Sequence, residues 1–128
     1  MDIYFELQTD HSFAEAVESL KQSLKPYGFG VLWELSFKDK LEEKGLSFDD
    51  DFKVLEVCNP AKAQKVLMTD ISAGYFLPCK MAVYNKDGHV FVGMLKPSSL
   101  IEIHGNKALN ALAEEVERDL IAAITAAV

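Results

Sequence analysis

The chain begins with a strand pattern that changes to a helical spacing after about ten residues. Apolar and polar residues alternate over residues 2–8, which predicts a half-buried strand. Its apolar face consists of Ile3, Phe5 and Leu7. A helix is predicted next, because Ser12 and Glu15 have the spacing of a capping box. Its apolar stripe consists of Phe13, Ala16, Val17, Leu20 and Leu24.

Four further strands are predicted, separated by short insertions. They cover residues 29–37, 52–58, 79–85 and 89–95. The last two form a hairpin, because Asp87 and Gly88 supply the positive φ of a tight turn. The other insertions are short helices at 38–44 and 60–68, a loop at 70–78 and, after a break at 96–99, an extended piece at 100–103.

A long amphipathic helix over residues 106–126 ends the pattern. The order β-α-β4-α, with short helical insertions, predicts one α+β domain over residues 1–128. Its mostly antiparallel sheet has about five to six strands, with two main helices packed on it. The expected core consists of Ile3, Phe5, Leu7, Val31, Trp33 and Leu35 under Leu20, Leu24, Leu112 and Val116. Replacing Leu112 by alanine is expected to cost about 2–5 kcal/mol.

The other face of the sheet is expected to be apolar as well. Its predicted apolar residues are Leu32, Val54 and either Val90 and Val92 or their neighbours. Two helices cannot cover both faces of such a sheet, and an exposed apolar patch is typical of an interface or a binding cleft. We therefore expect a homodimer with a two-fold interface.

Composition and charge limit the possible partners. The 128 residues carry a net charge of -7, and no Lys/Arg cluster stands out, so nucleic acid is not an expected partner. The N-terminus does not resemble a signal peptide, and no apolar run approaches the roughly 18 residues that span a bilayer. We expect a cytoplasmic protein, no membrane partner and two reduced thiols.

The two cysteines stand in paired motifs at strand ends. Cys58-Asn59-Pro60 follows one predicted strand, and Leu77-Pro78-Cys79-Lys80 leads into the next. If these strands are antiparallel neighbours, both cysteines lie at one edge of the sheet. A parallel crossover would place them at opposite ends instead. The candidate ligand-binding residues at this corner are Cys58, Asn59, Pro60, Pro78, Cys79 and Lys80.

Two interpretations of the thiols remain open. A helix is expected to begin beside Cys58, with Asn59 as its N-cap and Pro60 as its first residue. The N-terminus of a helix can lower the pKa of a nearby thiol or favour an anionic ligand. Lys80 would add to that effect. The thiols would then serve redox chemistry, soft-metal binding or ligand capture. The alternative is that both cysteines are small buried hydrophobic residues, as free cysteines usually are.

Other chemistry is less well supported by the pattern. Glu34 and Glu56 are secondary candidates, because paired neighbouring strands could aim both carboxylates into one cleft. No metal site is predicted, because four zinc ligands would require long-range convergence of the cysteines with three scattered histidines. These histidines are His11, His89 and His104. No Ser/His/Asp arrangement or cofactor motif is found.

The paired cysteine motifs also resemble a known family. Together with Ala61, Ala63 and the strand that begins at Met81, they resemble the prokaryotic family catalogued as domain of unknown function 302, or DUF302. The resemblance extends over nearly the whole chain. It implies a TATA-binding-protein-like α+β fold in a single copy, commonly a homodimer, and it implies no activity.

The sequence therefore leaves the function unknown and supports three hypotheses. The first is a homodimeric domain that binds a small molecule or acts as an accessory module. The alternative is a thiol-dependent enzyme, or a protein that handles redox equivalents or metals, using Cys58 and Cys79. A protein that acts only through interactions is the third.

Overall fold

A computed structural model describes residues 2–128, which form five strands and five α-helices joined in part by short 3-10 segments. The strands are β1 (Tyr4–Thr9), β2 (Gly30–Ser36), β3 (Phe52–Cys58), β4 (Cys79–Lys86) and β5 (His89–Leu95). The helices are α1 (Phe13–Leu24), α2 (Phe37–Glu43), α3 (Pro60–Thr69), α4 (Pro97–His104) and α5 (Asn110–Ala127). The predicted α+β class is confirmed.

All strand pairs in the sheet are antiparallel, and the strand order is β1-β5-β4-β3-β2. Helices α1 and α5 pack against each other and cover one face of the sheet, which we call the helix face. The predicted capping box at the start of α1 is present: Ser12 accepts the Glu15 N–H, and the Glu15 side chain accepts the Ser12 N–H. This pairing fixes where α1 begins.

The main core lies between the helix face and these two helices. Large side chains that are fully buried there include Leu20, Leu24, Leu55, Met81, Val92 and Leu120. Phe5, Leu7 and Val31 pack against it as predicted, but Ile3 is 45% exposed. Leu112 is only partly buried and lies outside this core.

A bulge in β2 overturns part of the predicted core. Val31 pairs with Val57, but the register then shifts, so that Trp33 pairs with Glu56. Because side chains alternate along a strand, this shift by one residue turns Trp33 to the opposite face of the sheet. Leu35 lies on that same opposite face, and Trp33 is 50% exposed.

The sheet face opposite α1 and α5 carries a row of aromatic rings; we call it the open face. Phe52 stacks on Tyr84, and Tyr84 stacks on Phe91, with ring centroids 5.3 Å apart in both pairs. Phe37 meets Phe52 edge to face. Of the two alternatives predicted for β5, Val90 and Val92 pack against the main core, because the β4–β5 register places them beside Asn85 and Val83. Their neighbour Phe91 lies on the open face.

Residues 96–104 form helix α4 where a break and an extended piece were predicted. Pro97 is the first residue of this helix, a position where the missing N–H has no cost. Gly105 ends α4 with φ +91°, in the left-handed region that suits glycine. This correction matters because α4 forms one wall of the candidate site.

A second apolar cluster lies beside the main core, outside the sheet. It consists of Ala73, Ile101, Leu109 and Ala113, with Val66 and Phe76 packed against them. The chain between β3 and β4 supplies part of it; we call residues 59–78, which comprise α3 and the 3-10 segment Ile71–Phe76, the β3–β4 insertion. None of the described helices is long and apolar enough to cross a membrane.

Candidate functional site

An apolar pocket lies between the β3–β4 insertion, α4, α5 and the adjoining ends of β3 and β4. The insertion forms one wall through Ala63, Val66 and Phe76. The second wall consists of Leu100 and Ile101 from α4 and Leu112, Ala113 and Val116 from α5. Phe29, Val57, Cys58, Cys79 and Leu95 line it from the sheet side. Most of the lining is therefore aliphatic or aromatic carbon.

The pocket is narrow. The volume open to the centre of a water-sized molecule is about 60 Å³, and the whole hollow, which is partly open to solvent, measures about 700 Å³. A void of this size has room for several water molecules, but water needs polar partners and this lining offers few. Apolar cavities in proteins stay dry and take up small apolar molecules. The shape and lining therefore suit a short alkyl chain or a small ring.

The predicted proximity of the two cysteines agrees with the strand register. Strands β3 and β4 are antiparallel, and Cys79 lies directly opposite Val57, the neighbour of Cys58. Both side chains are partly exposed, both are free thiols, and both residues line the apolar pocket. The thiols thus belong to the wall of a cavity.

Burial determines the protonation of Cys79. Removal from water, with a smaller contribution from the neighbouring Cys58, raises the pKa of its thiol to about 11. The charged form is disfavoured where water is excluded, so Cys79 stays a neutral thiol at physiological pH. This direction is opposite to the lowering that the sequence suggested for a thiol beside the α3 N-terminus, a prediction that concerned Cys58. A neutral buried thiol behaves as a small hydrophobic side chain.

Asn59 fixes the position of α3 above the pocket. Its side chain accepts the Lys62 N–H at 3.2 Å, as the predicted N-cap should, and donates to the Tyr27 carbonyl at 3.0 Å. Gly28 leaves room for this contact, because a Cβ there would lie 2.9 Å from the Asn59 amide nitrogen. One side chain thus caps the helix and fastens it to the end of the α1 region.

Two lysines are the only charged residues that line the described pocket. Lys62 forms an ion pair with Glu115 of α5, which lowers the pKa of that carboxyl group. Lys80 is exposed and lies opposite Glu56 in the sheet, yet no ion pair within 4 Å among residues 2–128 includes it. Because Lys80 lies opposite Glu56, its side chain projects from the open face, where the residue also borders a hollow beside Tyr84.

The two candidate prolines lie beside the pocket and do not line it. Pro60 is the exposed first residue of α3, and Pro78 precedes β4. Four of the six predicted site residues therefore meet around one cavity: Cys58, Asn59, Cys79 and Lys80. Pro60 marks the start of α3, and Pro78 marks the point where the insertion returns to the sheet at β4.

The secondary candidates Glu34 and Glu56 do not share a cleft. Strands β2 and β3 do pair, but Glu34 lies opposite Leu55 on the helix face, whereas Glu56 lies opposite Trp33 on the open face. The β2 bulge causes this separation, because it reverses the alternation of β2. Glu34 binds Lys21 of α1 at 2.6 Å, which lowers the pKa of its carboxyl group. It acts there as a structural ion pair.

A group of polar side chains closes the far end of the β3–β4 insertion. Asp70 accepts hydrogen bonds from Ser72 and Asn106, which lower its pKa to about 2. His104 Nε2 lies 2.8 Å from Ser72 Oγ and 3.7 Å from the Asp70 carboxylate. We call these four residues the polar tie. It fastens the insertion to the segment after α4.

The polar tie contains serine, histidine and aspartate but lacks the geometry of a catalytic triad. In a triad the aspartate binds Nδ1 and the serine binds Nε2 of the same imidazole. Here Ser72 and Asp70 both approach Nε2 of His104, and Nδ1 is buried without a hydrogen-bond partner. The Ser72 hydroxyl also donates to Asp70 at 2.7 Å, so its proton already has an acceptor. The arrangement is typical of a structural cluster.

The histidines lie apart from the thiols. His11 is exposed beside the start of α1, and His89 is exposed and pairs with Gln8. His104 belongs to the polar tie. Within residues 2–128, no three His, Cys, Asp or Glu side chains are grouped so that they could hold a metal ion.

Sequence reasoning identified the sheet side of the pocket and missed its opposite walls. The two motifs located Cys58 and Cys79, but Phe76, Ile101 and Leu112 come from distant segments. One signal was present in the sequence: Leu100 and Ile101 follow Pro97 at a spacing that also suits the first turns of a helix.

Comparison with known proteins gives a family and a close structural relative. A family model described as domain of unknown function DUF302 matches residues 5–127. A crystal structure of an uncharacterized conserved DUF302 protein from Bacillus stearothermophilus is 39% identical and superposes with a TM-score of 0.97. The similarity covers 100% of both chains. No curated protein matches the sequence.

Proposed function

We propose that this chain, which belongs to the DUF302 family of unknown function, binds a small apolar molecule in the apolar pocket. The observation that carries the proposal is the pocket itself: a narrow void of about 60 Å³ lined mainly by carbon. Well-packed interiors rarely keep voids larger than a water molecule. A cavity bounded by three helices and two strand ends is typical of a ligand site.

The polar contacts around the pocket support binding over a simple packing defect. Asn59 and the Lys62–Glu115 pair fasten the near part of the β3–β4 insertion, and the polar tie fastens its far end. The α3 helix between them has no fully buried residue. The insertion is thus fastened at both ends, and between them Val66 and Ala73 pack it into the second apolar cluster beside the pocket.

The alternative of thiol chemistry at Cys58 and Cys79 has less support. A thiol reacts as its thiolate, and burial holds the pKa of Cys79 near 11. Apolar binding requires no thiolate and uses the cysteines as soft lining groups. We therefore retain the first hypothesis, of a small-molecule-binding or accessory module, and place it in the cytoplasm, where two neighbouring free thiols are expected to stay reduced.

A pocket-filling variant tests the proposal. Ala63 lines the pocket, whereas Ala61, two residues earlier in α3, is exposed. Ala63→Leu should fill part of the void and abolish hexanol binding measured by methyl chemical shifts, while Ala61→Leu should bind hexanol like the unmodified protein. Equal binding by both variants would place hexanol elsewhere and contradict the proposal. Native mass spectrometry of freshly purified protein would reveal a retained ligand.

We further propose that the protein is a homodimer formed through the open face. Supporting this, Tyr4, Trp33 and Phe37 on or beside that face are 59%, 50% and 37% exposed, beside a continuous row of stacked rings. Large apolar groups on one sheet face are typical of an interface. Sedimentation equilibrium should show a dimer that Trp33→Glu dissociates and Tyr75→Glu, on the β3–β4 insertion, leaves intact. A monomeric unmodified protein would refute the dimer.

A further inference from the structure

We infer that the two open faces of the proposed dimer meet in one register, in which Glu56 of each protomer contacts Lys80 of its partner. The two-fold axis then runs along the strand direction, between β3 and β4. This inference rests on the proposed dimer and specifies how its halves fit together. Two independent features carry it: the positions of two charges on the open face, and a hollow on one half of that face.

Glu56 and Lys80 are direct cross-strand partners on β3 and β4. Both side chains project from the open face, where Trp33 lies opposite Glu56. Among residues 2–128, neither Glu56 nor Lys80 forms an ion pair within 4 Å. A charge that is covered by an apolar partner surface is costly unless it meets an opposite charge there. The register of lowest cost therefore brings Glu56 of one protomer to Lys80 of the other.

Two-fold symmetry converts this pairing into the position of the axis. A two-fold interface uses the same patch twice, so residues at equal distances on either side of the axis contact each other's copies. An axis that runs between β3 and β4, parallel to both, therefore places Glu56 over Lys80 at two equivalent contacts. It also sets β2 of the partner over β5. An axis perpendicular to the strands would set each strand over its own copy and would leave both charges without opposite partners.

The open face contains a hollow of about 530 Å³ that lies over β1, β5 and β4 and is open to solvent. Its lining includes the small residues Ala82 and Gly93, which are cross-strand partners. A Cβ at Gly93 would lie 2.8 Å from the Phe5 carbonyl oxygen, so a larger residue there would require the strands to shift. The hollow is therefore a built feature of the sheet.

The opposite half of the open face carries the side chains that fit this hollow. One row across the sheet, read through the strand register, consists of Leu35, Val54, Ala82 and Gly93. The axis between β3 and β4 places Leu35 of the partner over Gly93. Trp33, two residues along β2 and half-exposed, comes beside it. Shape and charge thus select the same axis, although they depend on different residues.

A charge-swap experiment tests this register. Lys80→Glu and Glu56→Lys each place like charges across the interface twice, so each should raise the dimer dissociation constant roughly tenfold or more at low salt. Sedimentation equilibrium measures this change. An equimolar mixture of the two variants should form a heterodimer, because both contacts then pair opposite charges again. Native mass spectrometry, with a tag on one variant, identifies that heterodimer by its mass.

The mixture separates contacts between protomers from effects within one sheet. Each variant still carries like charges on its own β3 and β4, so only contacts between protomers can restore the dimer. Lys65→Glu, the same charge change on an exposed residue of α3, should leave the dimer intact. Circular dichroism confirms that each variant is folded.

A hollow-filling variant tests the register without changing a charge. Ala82→Leu projects into the hollow and should weaken the dimer, whereas Ala61→Leu, at an exposed position of α3, should not. A monomeric unmodified protein would reject the proposed dimer and this register with it. A dimer that Ala82→Leu or the charge variants leave unchanged, or that the mixture does not restore, would overturn the register and leave the dimer standing.

Discussion

Leu120 and Leu112, two turns apart on α5, are predicted to respond differently to truncation. Leu120 is fully buried in the main core. Leu112 is partly buried and lines the apolar pocket. Replacement of either by alanine removes three carbon groups, but only at Leu120 are all of them shielded from water and tightly surrounded. The comparison therefore tests where the core ends and the pocket begins.

The magnitudes follow from burial and cavity formation. At about 0.8 kcal/mol per buried methylene, Leu120→Ala loses about 2.4 kcal/mol of transfer free energy. A new closed cavity adds about 24 cal/mol per Å3, so the total should be about 3–5 kcal/mol. Leu112→Ala loses about half the transfer term and enlarges a void that is already open. Its cost should be about 1–1.5 kcal/mol, below the range that the sequence suggested.

Urea unfolding followed by circular dichroism measures both losses, provided that the m-values match that of the unmodified protein. Leu112→Ala should also change hexanol affinity, whereas Leu120→Ala should not once the variant is folded. Equal losses of stability, or a larger loss at Leu112, would refute the division between core and pocket. A loss at Leu112 below about half a kcal/mol would mean that this turn of α5 is hardly packed at all.

Three further predictions concern titrating groups. Cys79, with a pKa raised to about 11 by burial, should resist iodoacetamide at neutral pH until the protein unfolds; rapid alkylation would contradict this. Hydrogen bonds lower the pKa of Asp70 from 3.8 to about 2, so its stabilising contribution is complete above the unfolded pKa and is lost as pH falls towards 2. Asp70→Asn should therefore flatten the acid side of the stability curve, and an unchanged curve would count against it. Burial and the bond to Glu6 raise the pKa of Tyr84 to about 12, so its contribution is present below pH 10 and is lost as pH rises through 12. Ultraviolet titration should show a late phenol that Tyr84→Phe removes; a curve that Tyr84→Phe leaves unchanged at high pH would contradict it.

Local signals allowed much of the fold to be predicted from the sequence. Strands β3 and β5 have the predicted bounds, and the caps at Ser12 and Asn59 are present, because each depends on neighbouring residues alone. The sheet face on which Trp33 lies was not predictable in this way. A bulge shifts the strand register, but the alternation of apolar and polar residues in the sequence stays the same. Helix α4 was missed because Pro97 fits both a break and a first helical residue.

The candidate site was predictable only at its sheet side. Strand ends that are neighbours in an antiparallel sheet bring Cys58 and Cys79 together, which is one of the two arrangements that the element order allowed. The walls from α4 and α5 depend on how helices pack, which no local pattern encodes. The raised pKa of Cys79 was not predictable either, because the burial that causes it is a property of the folded chain.

Xenon binding is the most direct test of the central claim, that the pocket is a dry apolar site for a small molecule. Xenon enters apolar cavities because it is held by dispersion and needs no polar partner. In a crystal under xenon pressure, the account predicts an anomalous peak in contact with Ala63, Phe76 and Ala113. The same experiment on Ala63→Leu should show that peak weakened or lost. Ordered water in the void of the unmodified protein, with xenon absent there, would contradict the account.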